Sequence, residues 1–184
     1  MKLLKLIFSI ALITTLAGCQ DSVVKTETAE PNLLDTSHEV VDRLTAIAKQ
    51  NSAFTGVELS AKSPLIIASF VDVNQMEQSS AFGRIIAEQF ASRLIQKGYY
   101  VVELKLRKNI FIKEKAGEFL LSRKIKEITA NHNAQGIVVG TYAVAANNIY
   151  LTAKIVDPKT NRILSSYDFR LPMGEDSREL LSAW

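Results

Sequence analysis

A nearly uninterrupted apolar run from Pro64 to Val71 constrains the fold of this chain more than any other feature. The run carries no charge and is bounded by the proline on one side and by residues 72–74 on the other. Continuous apolar strands of this kind are typical of a sheet that is covered on both faces. The run therefore predicts a buried strand inside a layered domain.

A helix and a second strand follow the buried strand. The helix begins at Ser79 or Ser80 and ends near Lys97, with apolar residues at helical spacing and Gly98 as the residue after it. The next strand covers residues 99–106, in which apolar and polar side chains alternate. A strand, a helix and a strand in this order imply a right-handed crossover and a parallel pair of strands.

Three strands with short connections are predicted in the last third of the chain, at residues 135–144, 149–156 and 162–171. Asn147 and Asn148 are expected to adopt the positive φ values of a two-residue hairpin turn. Residues 157–161 form the second turn, with Pro158 at its second position. These patterns predict a mixed α/β (α+β) fold with one mixed sheet packed with helices. In that sheet an antiparallel three-strand meander joins the parallel pair.

Shorter elements complete the predicted secondary structure. Thr36 or Ser37 is expected to cap a helix that runs to about Gln50 and has its apolar residues on one face. The other predictions are a loop at residues 51–62, a short strand at 109–112, a charged turn at 113–117, a second helix at 119–132 and a tail at 172–184 with one or two helical turns.

Residues 1–18 have the organisation of a secretory signal. Lys2 and Lys5 give it a basic start, and an apolar run covers residues 6–16. This run is shorter than the roughly 20 apolar residues that a transmembrane helix needs.

The sequence Leu16-Ala17-Gly18-Cys19 resembles a lipobox, the processing site of bacterial lipoproteins. In such signals the thiol receives a diacylglyceryl group, the bond before the cysteine is cut, and the new amino terminus is acylated. Two or more acyl chains anchor a protein stably, because each buried methylene contributes about 0.8 kcal/mol. Gln20 stands where an aspartate would resemble an inner-membrane retention signal, so the outer membrane is the expected destination.

Composition is consistent with one domain behind the signal. We expect a lipidated cysteine and flexible tether at 19–37 and a single domain at 38–184, with its core at 63–171.

Removing the signal takes away two lysines, which leaves 20 basic against 19 acidic residues and lowers the net charge from +3 to +1. Nucleic acid is therefore not an expected partner. Cys19 is the only cysteine, so the domain has no disulfide.

No residues have the spacing of a catalytic or metal-binding set. His38 and His132 are far apart on separate predicted helices, and there is neither a His-x-x-x-His motif nor a group of cysteines. Gly136 and Gly140 lack the Gly-Lys-Ser/Thr of a phosphate loop and are expected to allow close approach to a buried strand. We therefore predict no metal, no cofactor and no enzymatic activity.

Isolated charged residues are better explained by the fold than by chemistry. Asp72 follows the first strand, where open α/β sheets often bind ligands, but alone it is interpreted as a turn or cap residue. Arg84, Glu103, Glu118 and Arg123 are expected to be solvated or locally paired, because burying an unpaired charge costs several kcal/mol.

Aromatic residues are the candidates for contact with partners, since protein interfaces are enriched in them. Tyr99, Tyr150 and Tyr167 are more simply explained as residues of their own sheet. Trp184 has no chain after it in this sequence and is therefore the candidate partner contact.

Short blocks along residues 63–170 occur in a recognisable order behind the lipobox. They are Ser63-Pro64-Leu65, Phe70-Val71-Asp72, Ser80-Ala81-Phe82-Gly83-Arg84, Arg93-Leu94, Gly98-Tyr99, Val102-Glu103-Leu104-Lys105-Leu106, Gly117-Glu118-Phe119-Leu120-Leu121-Ser122-Arg123 and Gly140-Thr141-Tyr142. In this order they resemble the FlgO family of lipoproteins associated with bacterial flagella.

The resemblance implies an outer-membrane lipoprotein, periplasm-facing or flagellum-associated, that a working flagellum needs within a ring around its base. It also implies a fold similar to the amino-terminal domain of TolB and to the periplasmic domain of CsgG. The implied partners are the membrane, through the lipid on Cys19, other flagellar outer-membrane lipoproteins or ring proteins, and further copies of the chain.

Three other functions remain open from the sequence. One is a tethered regulator of a peptidoglycan synthase, similar to LpoB, although the short tether counts against it. Another is a secretion pore similar to CsgG, which Pro158 and the charges at Lys154 and Arg170 disfavour. An enzyme that acts on cell-wall polymer is the weakest of the three.

Overall fold

The computed structural model describes residues 32–60, 62, 64–76, 78–104, 111–113, 119–121 and 123–183. The predicted signal, Cys19, most of the predicted tether, the turn at 114–117 and Trp184 lie outside these residues. The described helices are α1 (Leu33–Thr55), α2 (Ala81–Gln96), α3 (Arg123–Asn131) and α4 (Glu175–Ser182). None of the described helices is long and apolar enough to cross a bilayer.

The described strands form one six-stranded mixed sheet and a separate two-stranded sheet. They are β1 (Leu65–Ala68), β2 (Val71–Asp72), β3 (Val101–Leu104), β4 (Phe111–Lys113), β5 (Phe119–Leu121), β6 (Gly136–Val144), β7 (Asn148–Val156) and β8 (Ile163–Pro172). The large sheet has the order β3-β1-β6-β7-β8, and β2 pairs with β6. Pairs β1–β3 and β1–β6 are parallel, and pairs β6–β7 and β7–β8 are antiparallel. The predicted fold class is confirmed.

Helices cover both faces of the sheet, which explains the continuous apolar strands. Helices α1 and α2 pack on one face over the larger core, which includes Leu65, Ile67 and Val138. Helix α3 packs on the other face, where Ile125 lies against Ile66 and Ile137. Helix α1 contacts β8 most extensively, whereas α2 contacts β1 and β3.

The predicted first strand is interrupted, so a single strand over 64–71 is wrong. The backbone N–H of Phe70 donates to the Gly83 carbonyl oxygen (3.0 Å), and the Phe70 carbonyl accepts from Ser79 Oγ (3.0 Å). Residues at and just before the start of α2 therefore bind both the N–H and the carbonyl of Phe70. In a continuous strand these two groups would have been available to pair with a neighbouring strand.

Helix α1 begins earlier and ends later than predicted. Asn32 is its N-cap, and the Asn32 side chain accepts from the N–H of Asp35 (3.0 Å). Ser37 is buried and donates to Gln89 Oε1 (2.8 Å), so this serine packs inside the helix instead of capping it. Gly56 ends the helix with a φ of 68°. The prediction that the solvated tether extends to residue 37 is therefore wrong for residues 33–37.

The predicted helix at 119–132 is wrong in its first part. Residues Phe119–Leu121 form β5, which pairs antiparallel with β4 in the register Phe111↔Leu121. A three-residue apolar run has no periodicity of its own and does not distinguish a strand from a helix. The predicted short strand at 109–112 corresponds to β4.

The two turns of the meander differ from each other. Neither Asn147 nor Asn148 has a positive φ, so the predicted hairpin geometry is wrong. Three residues, 145–147, connect β6 to β7, and the N–H of Ala145 donates to the Asn148 carbonyl (2.9 Å). The positive φ occurs instead at Asn161 (57°), in the second turn. The predicted turn at Pro158 is confirmed.

Candidate functional site

The structure brings three of the sequence blocks together at the amino end of α2. Residues 70–72 end the first strand region, residues 80–84 begin α2, and residues 140–142 lie in β6 beside them. The predicted site residues Leu16, Ala17, Gly18, Cys19 and Trp184 lie outside the described residues. This junction is therefore where the described residues concentrate the sequence signals.

A buried hydroxyl pair lies at the centre of the junction. Ser80 Oγ and the Tyr142 hydroxyl are 2.7 Å apart, and both residues are at most 1% exposed. Ser80 Oγ also accepts from the N–H of Gly83 (3.2 Å) as the N-cap of α2. Burial raises the pKa of the Tyr142 phenol, so it keeps its proton at neutral pH. The pair ties α2 to β6 and supplies neither a base nor an exposed nucleophile.

Two glycines permit the close approach of Phe70 to this junction. A Cβ on Gly83 would lie 2.0 Å from the Phe70 carbonyl oxygen, and a Cβ on Gly140 would lie 2.0 Å from Phe70 Cε1. The predicted role of Gly140 in close packing is confirmed. A Cβ on Gly136 would meet its nearest side-chain atoms at 3.1 Å, so the space there is less restricted.

The charged candidates do not converge on a common site. Asp72 Oδ1 accepts from the N–H of Asn74 (2.7 Å), which confirms the turn interpretation. Arg84 is exposed and donates from Nη1 to the Ser79 carbonyl (2.5 Å). Glu118 and the side chains of Glu103 and Arg123 lie outside the described part of the structure.

The two histidines lie on opposite sides of the sheet. His38 is half-buried on α1, and His132 is exposed just after α3, which packs on the other face. Among the described residues, no group of three or more His, Cys, Asp or Glu side chains could hold a metal ion.

An ion cluster that the sequence pattern did not indicate joins α1 to α2. Asp42 accepts from Arg93 through Nε (3.1 Å) and Nη2 (2.6 Å), and Lys97 Nζ lies 3.0 Å from Asp42 Oδ1. The hydrogen bonds from Arg93 are the main reason that the pKa of Asp42 falls from 3.8 to about 2. No sequence spacing could have revealed this cluster, because its members are about 50 residues apart.

Replacing Asp42 by asparagine should lower the free energy of unfolding by about 1 kcal/mol at pH 7. The full pKa shift corresponds to about 2.5 kcal/mol, but the Asp42 side chain is 38% exposed and solvent screens much of this. A carboxyl group with a lowered pKa stabilises the fold above its unfolded value of 3.8 and loses that contribution as pH falls through about 2. Denaturant unfolding of both proteins between pH 7 and pH 2 should therefore show the difference shrinking below pH 3.8.

Glu39→Gln is the matched control for the ion cluster. Glu39 lies on the same helix, 62% exposed and 3.4 Å from Arg43, and such surface pairs contribute little. Equal losses of stability in the two variants at pH 7 would contradict a special role for Asp42.

Replacing Tyr142 by phenylalanine should lower the free energy of unfolding by about 1 kcal/mol, the usual contribution of a hydrogen bond. The change removes the bond to Ser80 and keeps the ring, which packs edge-on against Phe82 with centroids 5.3 Å apart. Tyr150→Phe is the control, because Tyr150 is 51% exposed. Denaturant unfolding measures the free energy of unfolding of both variants. An equally small loss in the two would contradict a stabilising hydrogen bond between Tyr142 and Ser80.

The end of the described chain packs against the same junction. The carbonyl of Ala183 accepts from the N–H of Ala81, the first residue of α2 (2.8 Å), and Leu180 and Leu181 of α4 pack on the larger core. Ser177 of α4 is buried. The chain thereby returns to α2 immediately before the position of Trp184.

Some exposed apolar side chains lie beside the junction, such as Val73 (43% exposed), and others lie at the ends of α1 and α2. Of the three tyrosines considered from the sequence, Tyr99 and Tyr167 pack against the larger core, and Tyr150 is exposed. Sequence reasoning missed Phe54 (87% exposed), Tyr100 (60%) and Ile95 (59%). Among its described residues the domain therefore has exposed apolar side chains on its surface and no cluster of side chains that could bind a metal ion.

Comparison with known proteins gives a family and a fold. The family model described as "FlgO protein" matches residues 38–176. No curated protein matches the chain. The LpoB C-terminal domain from Escherichia coli is 13% identical, with a TM-score of 0.50 over 77% of this chain and 99% of that one. The LpoB C-terminal domain from Salmonella enterica is 14% identical, with a TM-score of 0.45 over 71% and 96%.

Proposed function

Because the chain belongs to the FlgO family, we propose that it is a lipid-anchored structural component of the bacterial flagellum, needed for assembly or stability of a ring at its base. The observation that carries this proposal is the family match over residues 38–176 behind a lipobox at residues 16–19. The junction around Ser80 and Tyr142 supports a role without catalysis, because its polar groups are buried and used in packing.

The proposed anchor is a triacylated Cys19 in the outer membrane. Only residues 20–31 separate this cysteine from the N-cap of α1 at Asn32. Even fully extended, the 13 residue steps from Cys19 to Asn32 span no more than roughly 47 Å. The domain would therefore stay close to the inner surface of the outer membrane, where ring components around a flagellar base could contact it.

The proposed partners are other flagellar outer-membrane lipoproteins or ring proteins, together with further copies of this chain. Such contacts need an apolar centre with a polar rim. The exposed Phe54, Tyr100 and Ile95 supply apolar surface, and α1 and α2 also carry exposed charged residues.

An alternative is a tethered regulator of a peptidoglycan synthase. The likeness to the LpoB C-terminal domain favours it, although at 13% identity that likeness concerns the fold alone. The short connection between Cys19 and α1 weighs against it, because such a regulator must reach across the peptidoglycan layer. Affinity purification of the tagged full chain from envelopes separates the two functions. Recovery of a synthase without any flagellar protein would favour the alternative.

An in-frame deletion of the gene in its own bacterium tests the proposed function. We expect swimming to be lost or strongly reduced, and we expect it to return when the wild-type chain is supplied in trans. Growth rate and cell shape serve as controls, because they should not change. Normal swimming with intact flagellar bases in the deletion strain would contradict the proposal.

A further inference from the structure

We propose that one end of the domain binds peptidoglycan, through the carboxylates of its peptides and the apolar faces of its sugar rings. This surface, termed the basic end, is the end of the domain at which β1, β3 and β6 begin. Its central residues are Phe54, Lys62, Tyr100, Lys159 and Arg162, all of which are exposed. The inference rests on the proposed function for the outer-membrane anchor, and it names a ligand for the end of the domain farthest from that anchor.

Chain segments from distant parts of the sequence meet at the basic end. Helix α1 ends beside the start of β8, because the Thr55 carbonyl accepts from Arg162 Nη1 (2.9 Å). Helix α2 ends near the start of β1, because the first residue of β1 donates its N–H to the Tyr100 carbonyl (2.8 Å). The end of β7 pairs with the start of β6, so the turn between β7 and β8 lies at this end as well. The connection from α1 to β1 also lies here, since the N–H of Ser60 donates to Gln135 Oε1 just before β6 (3.0 Å).

The most exposed large apolar side chains of the described residues lie at the basic end. Phe54, Tyr100 and Ile95 exceed all other such residues in exposure. Phe54 lies near the β8 edge of the sheet and Tyr100 directly precedes β3 at the other edge. Four strand spacings, about 19 Å, separate these two edges. A ligand that contacts both aromatic rings must extend over this distance, as a polymer does.

Positive charge predominates among the described residues of the same end. Its cations are Lys49, Lys62, Lys97, Lys159 and Arg162. The described acids there are Glu58, which is exposed, and Asp157, which is buried and whose carboxylate oxygens accept bonds within their own turn. Lys97 pairs with Asp42, which also pairs with Arg93, so that cluster as a whole keeps one positive charge. The basic end therefore complements an acidic ligand.

The opposite end of the domain has the reverse charge and joins the chain that leads to the proposed anchor. Helix α2 begins there, and α1 is parallel to α2 because the contacts Ser37–Gln89 and Asp42–Arg93 advance along both helices together. Its acidic residues are Asp35, Asp72, Glu175, Asp176 and Glu179, against the basic Arg84, Arg170 and Arg178. Since α1 has 23 residues, its first residue lies about 35 Å from the basic end.

The path of the chain from the anchor favours the cell wall over the membrane as the ligand of the basic end. With Cys19 in the outer membrane, residues 20–31 connect the bilayer to the opposite end of the domain. Turning the basic end toward the bilayer would use about 35 Å of the roughly 47 Å that this connection can span. In the other orientation, the basic end points away from the bilayer and faces the peptidoglycan layer beneath the outer membrane.

Peptidoglycan has the two kinds of chemical group that the basic end can bind. Its peptides carry free carboxylates, which form charge-assisted hydrogen bonds with lysine and arginine. The C–H faces of its sugar rings are apolar and pack on aromatic side chains, whose ring faces carry partial negative charge. The polymer also extends over more than the distance between Phe54 and Tyr100, so it can contact both rings at once.

Co-sedimentation of the full-length chain with purified sacculi tests the inference. The chain is purified in detergent from the membranes of its own bacterium, and the sacculi are freed of protein before use. Lys62→Glu with Lys159→Glu should weaken binding about tenfold, because each change replaces an attraction by a repulsion. Arg170→Glu with Arg178→Glu is the matched control, since it changes the net charge equally at the opposite end and should leave binding within about twofold. Equal losses in the two variants would overturn the inference.

Sacculi with amidated carboxylates give a second measurement, on the unchanged protein. Amidation removes the negative charge of the peptides and leaves the sugar rings intact. The wild-type chain should bind amidated sacculi about tenfold less tightly than untreated sacculi. Because the protein is the same in both samples, misfolding of a variant cannot produce this difference. Equal binding to the two kinds of sacculi, or no binding to untreated sacculi, would contradict the proposed ligand.

Photo-cross-linking in cells identifies what covers the basic end. A photoreactive phenylalanine analogue in place of Tyr100 should attach the full chain to the sacculus, so that boiled sacculi release it only after muramidase digestion. The same analogue in place of Tyr150, at the opposite end, should give no such product. From the Tyr100 position, a discrete adduct with a protein or with phospholipid would assign the basic end to that partner and overturn the inference.

The binding result is independent of the swimming result. Specific binding to sacculi by a chain whose deletion leaves swimming normal would keep the inference and contradict the flagellar function. Loss of swimming on deletion, with no binding of the chain to sacculi, would keep the function and contradict the inference.

Discussion

Replacing Gly140 by alanine should lower the free energy of unfolding of the domain by about 3 kcal/mol, at the upper end of the usual cost of overpacking a core. The added Cβ would lie 2.0 Å from Phe70 Cε1, 2.2 Å from Cδ1 and 2.4 Å from Cζ. Phe70 is fully buried and packs edge-on against Phe90, with ring centroids 5.0 Å apart. Because the ring is buried on all sides, the clash must be relieved by a shift of the ring, the strand or the surrounding core. Denaturant unfolding measures the loss.

Gly136→Ala is the matched control for this prediction. Gly136 lies on the same strand, but its added Cβ would approach Ile155 Cγ2 and Leu65 Cδ2 at 3.1 Å, and these side-chain ends can adjust. Its expected cost is below about 1.5 kcal/mol. Combining Gly140→Ala with Phe70→Leu should cost less than the sum of the two single changes, because the smaller side chain relieves the clash. Equal stabilities for the two alanine variants would contradict the close contact with Phe70.

Replacing Cys19 by serine should remove the chain from the lipidated outer-membrane pool. Without the thiol, no thioether to a diacylglyceryl group can form, and the processing that follows lipidation cannot occur. The acyl chains contribute about 0.8 kcal/mol per buried methylene, so their loss removes the stable anchor. Mass spectrometry and membrane fractionation of cells that make the full chain measure both effects.

Gln20→Asp is the control that keeps the lipid and changes the destination. This variant should be acylated like the wild-type chain but should stay in the inner membrane. If swimming depends on the outer-membrane location, both variants should fail to restore it in the deletion strain. An outer-membrane fraction of the Cys19→Ser chain equal to that of the wild type would contradict lipid anchoring through this residue.

The sequence predicted the elements whose hydrophobic pattern is long. The helix at α2 was bounded correctly because Ser80 and Gly98 mark its ends, and the meander was predicted because β6, β7 and β8 have nine or ten residues each. Predictions that rested on short or competing sequence signals were wrong. Asn32, Thr36 and Ser37 are all good capping residues, and only the fold decides among them, because Asn32 accepts from the N–H of Asp35 while Ser37 is buried inside the helix.

The junction at α2 could be predicted only in parts. The sequence indicated Gly140 as a site of close approach and Asp72 as a turn residue, and both predictions are confirmed. The meeting of Ser80 with Tyr142 could not be predicted, since 62 residues separate them and only the folded sheet brings them together. The break at Phe70 was missed for the same reason, because its hydrogen-bond partners belong to the helix that follows.

Cryo-electron tomography of flagellar bases in cells with and without this chain tests the central claim most directly. Averaged bases from wild-type cells should contain a ring-shaped density at the inner surface of the outer membrane. That density should disappear on deletion and return when the full chain is supplied. Averages that are identical with and without the chain would contradict its proposed place in the flagellar base.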